Sequence, residues 1–177
     1  MSYAPIPNPE AIVRMAECRA KWDLTPLVIH DNYLINLAAS DSVIGKNSID
    51  AFRLEVLSAI AIGAEYLLMH PGSAKGYTVE EAIATFTDSI VEACEGLSSK
   101  HLQILLENTA EQGSVLGSKF EELAELRRRA ASKVNFEIGY CLDTCHCYAS
   151  DYNVADGKGL KETVAQAQSI LAGVYSV

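Results

Sequence analysis

Residues 102–143, LQILLENTAEQGSVLGSKFEELAELRRRAASKVNFEIGYCLD, hold two short apolar runs separated by a loop and a helical pattern. LQILLE and FEIGYCLD are rich in branched and aromatic residues, and each reads as a buried strand that stops on an acid, Glu107 or Asp143. Between them Phe120, Leu123 and Leu126 recur on one helical face. Arg127, Arg128 and Arg129 stand near that helix's C-terminal end, where positive charge complements the helix dipole. A solvated helix end explains the arginine run more simply than a phosphate-binding patch. A strand, a helix and a second strand in this order imply parallel pairing through a right-handed crossover.

The same unit recurs upstream. PLVIH, ending at His30, and EYLLMH, ending at His70, read as two further strands. The connection between them carries Ile49, Phe52, Val56 and Ile60 at helical steps, with Gly63 as a stop. The next connection opens on Thr78 and Glu81, a capping-box pattern, ahead of Ile83, Phe86, Ile90 and Cys94. A helix over 8–21, with Pro9 at its first position, precedes the first strand, and another over 160–172 follows the last. The expected fold class is therefore α/β, with about four parallel strands and flanking helices in a single domain over 1–177.

Composition narrows the function classes. The 177 residues suffice for one core. No apolar run reaches the roughly 18 residues that span a bilayer, so no membrane partner is expected. The N-terminus MSYAPIPNPEA lacks a signal-peptide pattern, and the cytoplasm is the expected compartment. Five cysteines in no framework spacing predict reduced thiols. A net charge of −9 speaks against non-specific nucleic-acid binding unless bound divalent ions invert the local charge.

All four predicted strands stop on a residue able to bind metal: His30, His70, Glu107 and Asp143, at spacings of 40, 37 and 36. Side chains at the C-terminal ends of parallel strands converge from distant chain segments, which is where such folds place their sites. A lone histidine after a strand is ordinarily a hydrogen-bonded loop residue, and a lone acid a helix cap. Four in succession at equivalent positions argue for a shared centre. The mixture of imidazole and carboxylate suits Zn²⁺ or Mn²⁺ better than Ca²⁺ or Mg²⁺. His146 joins the same centre if DTCH turns out of the strand, whereas His101 begins a strand and reads as structural.

Cys141, Cys145 and Cys147 crowd the same stretch, but Cys-x3-Cys-x-Cys lacks the pairing of a zinc ribbon. They read as structural thiols rather than ligands or a Cys/His nucleophile. Tyr33 in HDNYLINL is either a half-buried loop residue or an aromatic wedge for a nucleobase stack. No Gly-rich phosphate loop is present.

At HDNYLINL (30–37), HPGS (70–73), LLENTAEQGSVLGSKFEELAEL (105–126) and CLDTCH (141–146) the chain closely resembles the endonuclease IV family, zinc-dependent apurinic/apyrimidinic (AP) endonucleases of base-excision repair. These motifs cover about 27–150 in family order. The resemblance implies a TIM (β/α)8 barrel, here partial, with three zinc ions at its C-terminal face. It implies that His30, His70 and Glu107 hold one zinc, that Glu107 bridges to a second held also by Asp143, and that His146 serves the third. Glu107 and Asp143 are thereby the implied catalytic ligands, and Tyr33, with Leu34, the DNA-contacting pair. The implied reaction is deoxyribonuclease IV-type hydrolysis of the phosphodiester 5′ to an abasic nucleotide in double-stranded DNA, giving 3′-hydroxyl and 5′-deoxyribose phosphate ends. Clustered zinc ions would lower the pKa of a bridging water and neutralise charge on the attacked phosphate.

Two departures qualify these implications. Glu111 stands where the family has glycine. A complete barrel has eight strands in about 250 residues, and the four read here match the third to sixth. A histidine and a glutamate of the second zinc, and an aspartate and a histidine of the third, have no counterpart. The ending SILAGVYSV reads as a truncation or frame change, and open barrel edges predict self-association. Alternatives of other kinds are a Mn²⁺-dependent sugar isomerase or epimerase on a related barrel, and a non-catalytic metal-binding or assembly fragment.

Overall fold

In the computed structural model, which describes residues 8–171, the four apolar runs form β1 (Val28–His30), β2 (Tyr66–Met69), β3 (Gln103–Glu107) and β4 (Glu137–Cys141). They make one sheet in the order β1-β2-β3-β4, every pair parallel. His30 aligns with Leu68, and Leu68 with Leu105, whereas Glu107 aligns with Cys141. The strand ends therefore climb across the sheet, the stagger that closes a sheet into a barrel. The FEIGYCLD strand ends two residues earlier than the sequence suggests, at Cys141.

The helices begin and end where local chemistry dictates. In chain order they are α1 (Pro9–Trp22), α2 (Ser42–Ile62), α3 (Val79–Cys94), α4 (Phe120–Ala130), α5 (Thr144–Ala149) and α6 (Gly157–Ile170). Asn8 caps α1 by accepting from the Ala11 N–H, ahead of Pro9. Asp41 caps α2, which stops at Gly63 with φ 69°, a left-handed conformation that glycine adopts without penalty. The Thr78–Glu81 capping box of α3 forms on both sides. Residues 172–177 lie outside the described residues; the helix expected over 160–172 runs from Gly157 to Ile170, three residues earlier at its start because Asp156 caps it there.

Alternation along the strands divides the sheet. Leu67, Met69, Ile104 and Leu106 have no exposed surface and pack with Phe52, Phe86 and Phe120 of α2, α3 and α4. The other residues of each strand face the concave side, where Val28, Leu68, Leu105, Cys141 and Val164 line an open cavity of about 450 Å³ beside α6. On the outer flank of β4, Arg127 Nε donates to the Ile138 carbonyl at 2.6 Å, which occupies one edge acceptor. Arg128 and Arg129 pair with Glu125, and Arg129 also with Glu80. The arginine run is thus spent on the sheet edge and on surface ion pairs.

Candidate metal centre

His30 ends β1, His70 follows β2 directly, and Glu107 ends β3, so three strands deliver their last concave-facing residues to one place. One ligand atom from each of the three lies within 4.8 Å of the others, and the same holds for Glu107, Asp143 and His146. Glu107 belongs to both groups. Asp143 is not a strand residue: it caps α5, accepting from the Cys145 and His146 N–H groups at 2.6 and 3.0 Å. That turn brings His146 back over the centre, with its ring 5.4 Å from that of His70, itself 5.0 Å from His30.

Second contacts fix the imidazoles. His30 Nδ1 lies 2.8 Å from the Asp31 carbonyl, and His146 Nδ1 the same distance from the Asn108 carbonyl. A carbonyl only accepts, so each Nδ1 carries the proton and each Nε2 keeps its lone pair. His30 Nε2 stands 3.1 Å from Glu107 Oε2, yet Glu107 Oε2 has no hydrogen bond. His70 Nδ1 and Asp31 Oδ2 are buried and unpartnered as well. Buried polar atoms without partners are costly. A cation held between these atoms would satisfy them, and the donor set suits Zn²⁺ or Mn²⁺.

The electrostatics agree. Burial pushes the Glu107 carboxyl up, and the His30 and His146 imidazoles offset this only in part. Burial, then the neighbouring His30 and His146 rings, depresses His70 to about 4, so it stays neutral and ligand-competent at ordinary pH. The Asp143 carboxyl is held low, first by the His146 N–H. Burial raises Cys141 to about 11, and it raises Cys147, which accepts from Asn108 Nδ2. As uncharged thiols at ordinary pH, both fit the structural role the sequence suggested.

Tyr33 is 82% exposed and Leu34 50% exposed on the loop after β1. Tyr33 borders a groove of about 400 Å³ whose walls include Asn36, Ser73 and Gln112 and whose floor includes His70 and His146. Asn36 ties this loop to HPGS: its Oδ1 accepts from the Ser73 N–H at 3.0 Å and its Nδ2 donates to the Ser73 carbonyl at 3.3 Å. Gly72, at φ 105°, leaves room for Asn36 Oδ1, which a Cβ there would meet at 2.2 Å. The Glu111 side chain is exposed, and its N–H donates to Ser150 Oγ. His101 precedes β3, at the opposite end of the sheet.

Sequence reasoning missed Asn36, Asn108 and Asp31. Asn36 and Asn108 stand inside stretches already singled out. Their amides act across 35 or more positions of chain, a reach no local pattern encodes.

A family model described as "Xylose isomerase-like TIM barrel" matches residues 5–172. A Solibacter usitatus protein named "Probable endonuclease 4" is 49% identical over 97% of the chain, which spans 59% of that relative. Endonuclease IV from Thermus thermophilus superposes with a TM-score of 0.78 at 29% identity, covering 96% of the chain and 58% of the Thermus protein. A D-tagatose 3-epimerase-like protein superposes with a TM-score of 0.67 at 23% identity, over 96% of the chain and 61% of its own; this likeness is one of fold. The chain thus spans somewhat over half the length of its relatives.

Proposed function

The chain belongs to the xylose isomerase-like TIM-barrel family, on its endonuclease IV branch, and from this premise we propose that its chemistry is metal-dependent hydrolysis of the DNA phosphodiester 5′ to abasic sites. The observation that carries the reading is the unpartnered, buried Glu107 Oε2 facing His30 Nε2, with His70, Asp143 and His146 around it. His30, His70 and Glu107 would hold one zinc. Glu107 and Asp143 would share a second, and His146 would serve a third. Zinc bound there supplies an activated water and neutralises phosphate charge. The protein's own part is orientation: backbone carbonyls point the two imidazoles, and Asp143 is fixed by its cap on α5. Tyr33, largely exposed beside the groove that His70 and His146 also line, would fill the gap left by a missing base, with Leu34 next to it in the chain.

By the resemblance, the second and third ions draw further ligands from parts of the family barrel that this chain does not match. The polypeptide assayed alone is therefore proposed to hold one zinc firmly and to cleave poorly. Zinc per chain, measured beside cleavage of an abasic and an intact duplex, tests this. About one firmly bound zinc, weak cleavage, and a preference for the abasic duplex that Tyr33→Ala abolishes without loss of zinc is the expected outcome. Robust cleavage by a monomer carrying three zincs would contradict it. The proposed action on DNA carries with it a proposed cytoplasmic location; no helix among the described residues is long and apolar enough to cross a membrane.

A further inference from the structure

Asn108 is 1% exposed, and every hydrogen-bonding group it has goes to the segment 141–147. Its N–H donates to the Cys141 carbonyl at 3.2 Å. Its side-chain Oδ1 accepts from the Asp143 N–H at 2.6 Å, and Nδ2 donates to the Asp143 carbonyl at 3.1 Å and to Cys147 Sγ at 3.3 Å. Its own carbonyl takes His146 Nδ1 at 2.8 Å.

The β3–β4 ladder ends with Glu107 opposite Cys141. Two residues on, the Asn108 amide grips both the N–H and the carbonyl of Asp143, as a further strand residue would. A backbone rung could not do this, since after Cys141 the chain leaves the sheet to start α5. The substitution keeps the Asp143 backbone tied to the end of β3 while its carboxylate is freed to cap the helix and face the centre. The neighbouring carbonyl sets the proton on His146 Nδ1 and leaves Nε2 with its lone pair.

We propose that Asn108 is the positioning residue of the Glu107–Asp143–His146 cluster: its side-chain amide serves as the last rung of the sheet, holding Asp143 and His146 in the arrangement the metal centre needs. The inference rests on the metal-centre reading for its consequence, but the placement of Asp143 and His146 is testable without metal.

The first measurement is the tautomer of His146 in the metal-free protein, read from long-range ¹H–¹⁵N correlations. The Nδ1–H form is expected in the wild type, with a shift towards Nε2–H in Asn108→Ala. The second is a Co²⁺ titration followed by visible absorption. Asn108→Ala is expected to weaken the Co²⁺ uptake that depends on Asp143 and His146 by about 10- to 100-fold, with the His30–His70–Glu107 phase changed by less than about threefold. Asn108→Asp keeps the volume and the acceptor for the Asp143 N–H, and so covers a failure of the alanine variant to fold. It loses the donor to the Asp143 carbonyl and is expected to bind Co²⁺ more weakly at the second cluster despite its added negative charge. Wild-type tautomer and affinities in a folded Asn108→Ala, or Asn108→Asp affinity at or above wild type, would overturn the proposal. A wild type that takes up no metal yet changes tautomer on substitution would refute the metal reading and uphold the role of Asn108.

Discussion

The two faces of the sheet are built from alternate residues of the same strands, yet they do opposite work. Leu67, Met69, Ile104 and Leu106 are sealed against the helices and carry the stability of the fold. The concave face is open around Leu68 and Leu105, and it ends in side chains whose buried atoms lack partners. One face is satisfied and the other is not. A sheet can thus hold uncompensated polar groups at its rim because the packing behind it is complete.

Breaking the sealed face should have the largest effect. Leu106→Ala removes a side chain with no exposed surface and is expected to cost about 3 kcal/mol. Denaturant unfolding of the metal-free chain measures it, and a loss near that of a surface substitution would dissolve the contrast between the faces.

The rim responds next, and to pH. Burial, reinforced by Glu55 and Glu107, raises the Asp31 carboxyl to about 8 from its ordinary 3.8. Between those values the folded chain holds a proton that the unfolded chain has lost. The stability this contributes is complete below about 3.8 and disappears as pH rises through about 8. The metal-free protein is therefore expected to melt at a lower temperature at pH 9 than at pH 6. In Asp31→Asn that difference should be much reduced. An equal pH dependence in both proteins would show that the buried carboxylate is not its source.

Smallest is the effect of polar substitution on the concave face. Leu105→Ser is expected to cost about 1 kcal/mol, while reducing self-association in sedimentation velocity runs. The proposed association would use this face and the outer flanks of β1 and β4, which no strand pairs among the described residues. A monomer at all concentrations would remove the idea.

How far the sequence carried the fold follows the same division. Strand ends at His30 and Glu107, the Gly63 stop and the Thr78 box are local chemistry, and each forms as read. The strand-end spacing pointed to His30, His70, Glu107 and Asp143, because equivalent positions in a repeated unit converge; His146 joined them only on the condition that DTCH turns out of the strand, as it does at α5. Asp143 as a helix cap, and Asn108 as a substitute rung, depend on contacts 35 residues apart and leave no periodic trace. The strands read as buried runs; their division into an open and a sealed face, like the orphaned atoms that single out the rim, is a property of assembled space.

The most direct test of the central claim is zinc binding by equilibrium dialysis with metal analysis, comparing the wild type with Glu107→Gln. That substitution keeps the shape of the side chain and removes the charge common to both ligand groups. The account predicts about one firmly held zinc per wild-type chain and none in the variant, with both proteins folded. Equal zinc uptake by the two, or none by either, would contradict it.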